Sequence, residues 1–73
     1  MVESSQIRAG RAYINWSQTT LSEAAGVSLP TIKRMEKDSG SSNFGNVKKV
    51  REALENAGIA FTHTGGIEPK EEN

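Results

Sequence analysis

A chain of 73 residues, 34% hydrophobic and 25% charged, has the composition of one small soluble globular domain, with no room for a second. It has no cysteine, which excludes disulfides, thiolate metal sites and thiol nucleophiles, and its one histidine and one aspartate leave a catalytic triad only His63 and Asp38, far apart in the pattern. The zero net charge is unevenly spread: between Thr31 and Arg51 six basic residues stand against two acidic ones, whereas beyond Gly66 three glutamates stand against one lysine.

The first helix is expected over residues 5–15, with Ser4 or Ser5 able to cap it, Ile7, Arg11 and Ile14 on one face, and Gly10 leaving space for a close neighbour. Trp16 follows as an apolar plug assigned to the core rather than to base stacking. Ser17 is a second capping candidate, opening a helix through Ala25 that turns Leu21, Ala24 and Ala25 inward and stops at Gly26. Ser28 caps a third helix almost at once. Pro30 lies in its first turn, where a missing N–H costs little, and Ile32 and Met35 form its buried stripe. Two helices joined by Gly26-Val27-Ser28 alone cross steeply, which is the geometry of a helix-turn-helix.

Residues 37–43 read as a polar loop. A fourth helix, over residues 44–57, is capped by Asn43, faces inward with Val47, Val50, Leu54 and Ala57, and ends at Gly58. The period then changes to two: Ile59, Phe61 and His63 alternate with Ala60, Thr62 and Thr64 as one short strand. Its ladder partner is either a return strand around Ile67, turned by Gly65-Gly66 and cut short by Pro69, or a second copy of the chain. Residues 68–73 read as a frayed acidic tail. The domain plan is thus a helical unit over 1–58, a strand with a possible dimerising role over 59–67, and the tail over 68–73.

The stretch Gln18-Thr-Thr-Leu21-Ser-Glu-Ala-Ala-Gly26-Val27-Ser28-Leu-Pro-Thr-Ile32-Lys-Arg-Met35-Glu36 resembles the helix-turn-helix of the lambda repressor and Cro (XRE) family, and with its flanks the resemblance covers residues 6–58. It implies an all-α, lambda-repressor-like domain of four helices with a short C-terminal β-strand. It also implies sequence-specific binding of double-stranded DNA, through a recognition helix over residues 28–37 laid in the major groove. Base contacts are expected from Leu29, Pro30, Thr31, Lys33 and Arg34, with Arg34 and then Lys33 donating to guanine. Relatives often carry polar residues at the positions of Leu29 and Pro30, so discrimination here rests on few side chains. Phosphate contacts are expected from Ser17, Gln18, Ser28, Lys37, Asn43, Asn46 and Lys48, although Ser17, Ser28 and Asn43 are also plain helix caps. Arg11 and Glu36 match a pair that forms a structural salt bridge in relatives. Ser22 stands where relatives usually have alanine, and its hydroxyl needs a local acceptor, such as a carbonyl one turn back.

The resulting expectation is a non-enzymatic transcriptional repressor acting on an inverted-repeat operator. It is expected to be cytoplasmic, in a bacterial or phage-infected cell, and to form a homodimer through Ile59, Ala60, Phe61 and Thr62, with no cofactor, metal, membrane partner or evident small-molecule ligand. The alternative is an antitoxin-like or adaptor module that binds protein through Leu29, Pro30 and Phe44 without reading DNA.

Overall fold

A computed structural model describes residues 2–71. In chain order it contains α1 (Ser4–Tyr13), α2 (Gln18–Ala25), α3 (Leu29–Lys37), a 3₁₀ turn (Ser39–Ser41), α4 (Phe44–Asn56), β1 (Ile59–Phe61) and β2 (Ile67–Pro69). The four helices surround one core, and the strands form a small antiparallel ribbon at the C-terminal end.

Three of the four helices start on a side-chain cap. Ser17, Ser28 and Asn43 each have extended backbone and accept a hydrogen bond from the main-chain N–H three residues on, at Thr20, Thr31 and Asn46. The start of α1 differs from expectation. Glu3 is the cap residue, and its N–H donates to Gln6 Oε1 at 2.8 Å. Ser4 is already helical, and its hydroxyl instead accepts from the Ser39 N–H at 2.7 Å, tying α1 to the turn after α3. The helix is also shorter at its far end, because Asn15 takes a left-handed conformation (φ 60°) and the Trp16 N–H closes back onto Arg11 O at 2.9 Å.

Between α2 and α3, Gly26 has φ 69°, a region that costs an L-residue about 1–2 kcal/mol. A Cβ built there meets nothing within 4 Å, so the strain of a side chain is purely a backbone effect. Gly26→Ala is therefore expected to lower unfolding stability by about 1 kcal/mol, read from urea midpoints. An unchanged midpoint contradicts this account of the turn.

Ile7, Leu21, Ile32, Met35, Val50, Leu54 and Ile59 are fully buried, with Val2, Val27, Val47 and Ala53 close behind. Trp16 is half-buried and packs on this cluster with Ile14, Ala25, Phe61 and Ile67. On α2, Ala25 lies four residues from Leu21 and turns toward the core, whereas Ala24, expected inside, is exposed. On α4 the buried positions are Val47, Val50, Ala53 and Leu54, while Ala57 is only half-buried at the helix end. A Cβ on Gly10 stands 3.4 Å from a Leu54 methyl and 3.7 Å from one of Ile59, so α1 crosses there in close contact.

Of the two ladder partners left open by the sequence, the structure has the return strand. β1 pairs with β2 in the register Ile59 to Pro69, Ala60 to Glu68 and Phe61 to Ile67. The Thr62 N–H to Gly66 O bond (3.0 Å) and the Lys70 N–H to Gly58 O bond (2.8 Å) extend the ladder at both ends. Pro69 fits because it closes a strand with only one partner, so its missing N–H interrupts nothing further. Two expectations are corrected here. His63 lies in the connecting turn rather than on a strand, and residues 68–70 are not a loose tail, since Glu68 and Pro69 belong to β2 and Lys70 donates to Gly58. Glu72 and Asn73, assigned to the same tail, lie outside the described residues. The buried Gln6 side chain pins the ribbon to α1, with Nε2 donating to Thr62 O (3.2 Å) and Gly66 O (2.9 Å).

Candidate nucleic-acid interface

Helical periodicity divides α3 into two faces. Ile32, Met35 and Glu36 are buried, whereas Pro30, Lys33, Arg34 and Lys37 are exposed and Leu29 and Thr31 are half-buried. Three cations thus project from a helix whose opposite side is anchored in the core. Lys37 and Arg34 lie in its last turn, where positive charge also suits the helix dipole.

The anchor is polar as well as apolar. Glu36 is 5% exposed, and its carboxylate accepts from Arg11 Nε at 2.7 Å, Arg11 Nη2 at 2.9 Å and Gln18 Nε2 at 3.1 Å. Arg11, 22% exposed, spends its remaining Nη1 on Trp16 O at 2.9 Å. The hydrogen bond to Glu36, aided by the charge itself and opposed by burial, raises the Arg11 pKa above its ordinary value. A raised cationic pKa gives stability that is present at lower pH and lost only as pH climbs through the folded value, so Arg11 stays charged across the neutral range. Arg8 adds a further tie, its guanidinium donating to the Glu36 main-chain carbonyl at the end of α3. One carboxylate on α3 therefore ties that helix to both α1 and the start of α2.

The Gln18 amide, expected at a phosphate, donates one Nε2 hydrogen to Glu36 at 3.1 Å. The nearby carboxylate is an acceptor with spare lone pairs, and it draws the amide inward. Ser17, Ser28 and Asn43 all act as caps. Ser17 Oγ accepts from the Thr20 N–H at 3.0 Å, Ser28 Oγ from the Thr31 N–H at 3.4 Å, and Asn43 Oδ1 from the Asn46 N–H at 2.8 Å. Each of these three residues is nonetheless exposed, as are Lys37 and Lys48, while Asn46 is half-buried. The position of the α4 start is fixed by Asn43, and Phe44 beside it is 69% exposed.

Sequence reasoning did not assign roles to Gln6 or Arg8. Arg8 and Arg11 are three residues apart on α1 and so share a face, and both reach Glu36, Arg8 at its main-chain carbonyl and Arg11 at its carboxylate. The partners of Gln6 lie 56 and 60 residues away, and no local pattern reveals them. Ser22 also finds a different acceptor from the one anticipated: its hydroxyl donates to Val27 O, five residues onward, rather than to a carbonyl one turn back.

A hollow of about 410 Å³ lies between the start of α1, Arg51 on α4 and the turn of the ribbon, with Glu3, Gln6, Phe61 and His63 in its wall. Arg51 there is held by Glu55 at 3.1 Å and lies 6.0 Å from the centre of the Phe61 ring. Among the described residues there is no cluster of three or more metal-ligating side chains, and no helix is long and apolar enough to cross a membrane.

A family model described as helix-turn-helix matches residues 7–56, which takes in all four helices apart from the first turn of α1. No curated protein matches the chain at a significant level.

Proposed function

The chain belongs to the lambda repressor-like (XRE) helix-turn-helix family, whose members are typically DNA-binding and non-enzymatic regulators, and on that premise we propose that it is a small transcriptional repressor of duplex DNA. The observation that carries this reading is the exposed Lys33, Arg34 and Lys37 face of α3 on a helix braced from behind by Glu36. In the family's docking geometry, the N-terminal part of α3 enters the major groove. Arg34, and then Lys33, donate to guanine O6 and N7, while Leu29, Pro30 and the Thr31 methyl meet thymine methyl groups. Ser17, Ser28, Lys37, Asn43, Asn46 and Lys48 meet phosphates, which sets register without reading sequence. Gln18 joins them through its second Nε2 hydrogen, the first holding the start of α2 against Glu36.

The repressor is a homodimer on an inverted repeat, with half-sites about 10 base pairs apart or a multiple of that. Strand β1 already has β2 as its partner and Ile59 is fully buried, so the dimer contact falls to Ala60, Phe61 and Thr62 on the ribbon edge outside that ladder. A dimeric mass in the micromolar range is expected from sedimentation. A monomeric mass at every concentration in that range overturns the dimer.

A second reading, a protein-binding module, is favoured by one observation, the exposed Phe44. Salt separates the two. With about five phosphates neutralised, affinity for mixed-sequence duplex falls roughly 500-fold between 50 and 200 mM salt. An apolar contact through Phe44 hardly responds over that range. Absence of salt-sensitive duplex binding, together with a salt-insensitive protein complex lost in Phe44→Ala, supports the module and rejects the repressor.

A further inference from the structure

The geometry points to Ser22 as a positioning residue that sets the angle at which α3 is presented; this rests on the DNA-reading role proposed above. Three hydrogen bonds converge on Ser22 from the turn. Its main-chain carbonyl accepts from the Gly26 N–H at 3.0 Å and the Val27 N–H at 3.2 Å, and its hydroxyl donates to the Val27 carbonyl at 2.5 Å. Both the N–H and the C=O of Val27 are therefore tied to one residue of α2.

Val27 is buried, and the residue after it, Ser28, is the cap of α3. The peptide unit between Val27 and Ser28 is the last hinge before the recognition helix. Rotating it swings α3 as a rigid body, since Ser28 is itself bonded into the first turn through the Thr31 N–H and hydroxyl. The Ser22 hydroxyl is the only hydrogen-bond partner of the Val27 carbonyl among the described residues. An alanine at this position keeps the two main-chain bonds and the close approach of the helices but frees that carbonyl. The helix stays folded, yet one of the constraints on its exit angle is gone. Base edges are read over a few tenths of an ångström, whereas phosphate attraction tolerates such shifts. The effect of losing the hydroxyl thus falls on discrimination rather than on overall affinity.

The test begins with the full chain and a duplex that it selects from a random pool, paired with a scrambled duplex of the same composition. The ratio of the two dissociation constants is measured for the native chain, Ser22→Ala and Ser22→Thr. Ser22→Ala is expected to lower the ratio five- to tenfold while affinity for the scrambled duplex stays within twofold, and Ser22→Thr, which keeps a hydroxyl, is expected to restore most of the ratio. Residual dipolar couplings of the free proteins give a reading independent of DNA, with a changed angle between α2 and α3 expected in Ser22→Ala alone. Should that variant not fold, Ser22→Cys, with only a weak donor, takes its place with a smaller effect in the same direction. An unchanged ratio and unchanged interhelical angle, with a lowered melting temperature, make Ser22 merely stabilising and overturn the inference. A native chain that selects no duplex at all overturns the DNA-reading role itself, a distinct result.

Discussion

Replacing Arg11 with methionine is expected to lower unfolding stability by about 3 kcal/mol, the lower end of the range for breaking a buried ion pair, because Arg11 retains some access to water. The physical cost lies on the partner. Glu36 remains 5% exposed in the native packing, with Gln18 as its remaining side-chain donor, so a charge is left in the interior without compensation. Trp16 O loses its donor at the same time. For a domain of this size the total stability is of the order of 4–11 kcal/mol, so the variant is left marginal. Its melting temperature is expected to fall by roughly 12–24 °C. Glu36→Gln is milder, since an amide still offers an acceptor to Arg11, and the double variant Arg11→Met with Glu36→Leu recovers part of the loss. Urea denaturation of the four proteins checks this. A loss below about 1 kcal/mol in Arg11→Met gives the pair the weight of an exposed one and removes the proposed brace behind α3.

Arg34→Ala is expected to weaken binding to the preferred duplex by about 1–3 kcal/mol, or roughly 5- to 150-fold, and to flatten preference at one base position. Binding to scrambled duplex falls much less, by what a single lost cation accounts for. The same substitution at Lys33 has a smaller effect on preference, because an ammonium is a point charge without the paired donors of a guanidinium. The fold is indifferent to both, since each side chain is exposed and makes no hydrogen bond among the described residues. Titration of the two duplexes with each variant is the measurement. Selection that survives Arg34→Ala unaltered at every position excludes that side chain from base readout.

Much of the helical part is legible in the sequence because its determinants are local. Ser17, Ser28 and Asn43 announce helix starts within three residues, and Gly26 marks the left-handed stop that separates α2 from α3. Periodicity finds Leu21, Ile32, Met35, Val47, Val50 and Leu54, all of them buried. It misplaces Ala24, since an alanine carries too little apolar weight to fix which side of an eight-residue helix faces in. The ribbon is harder to read. Strands of three residues give barely one cycle of alternation, and the sequence around Gly65-Gly66 and Pro69 fits either a return strand or an edge left for a second copy of the chain.

The least legible features are polar contacts between distant segments. Gln6 to the ribbon, Arg8 to the end of α3 and Gln18 to Glu36 depend on how the helices pack, and nothing in the neighbouring residues announces them. Gln18 sits at the start of α2 as expected, and its bond to a buried carboxylate is a further contact that its position alone does not announce. The outer face of α3 is read correctly for a simple reason. Once Ile32, Met35 and Glu36 are inside, helical geometry leaves Lys33, Arg34 and Lys37 outside.

The central claim is that α3 is the element that meets duplex DNA, and the most direct test is an amide chemical-shift map of the full chain titrated with its selected duplex. The account predicts the largest changes along residues 29–37, with smaller ones at residues 17–19 and 43–48, and little at the ribbon apart from any dimer contact. Changes confined to Phe44 and the hollow beside Arg51, with α3 unmoved, contradict it.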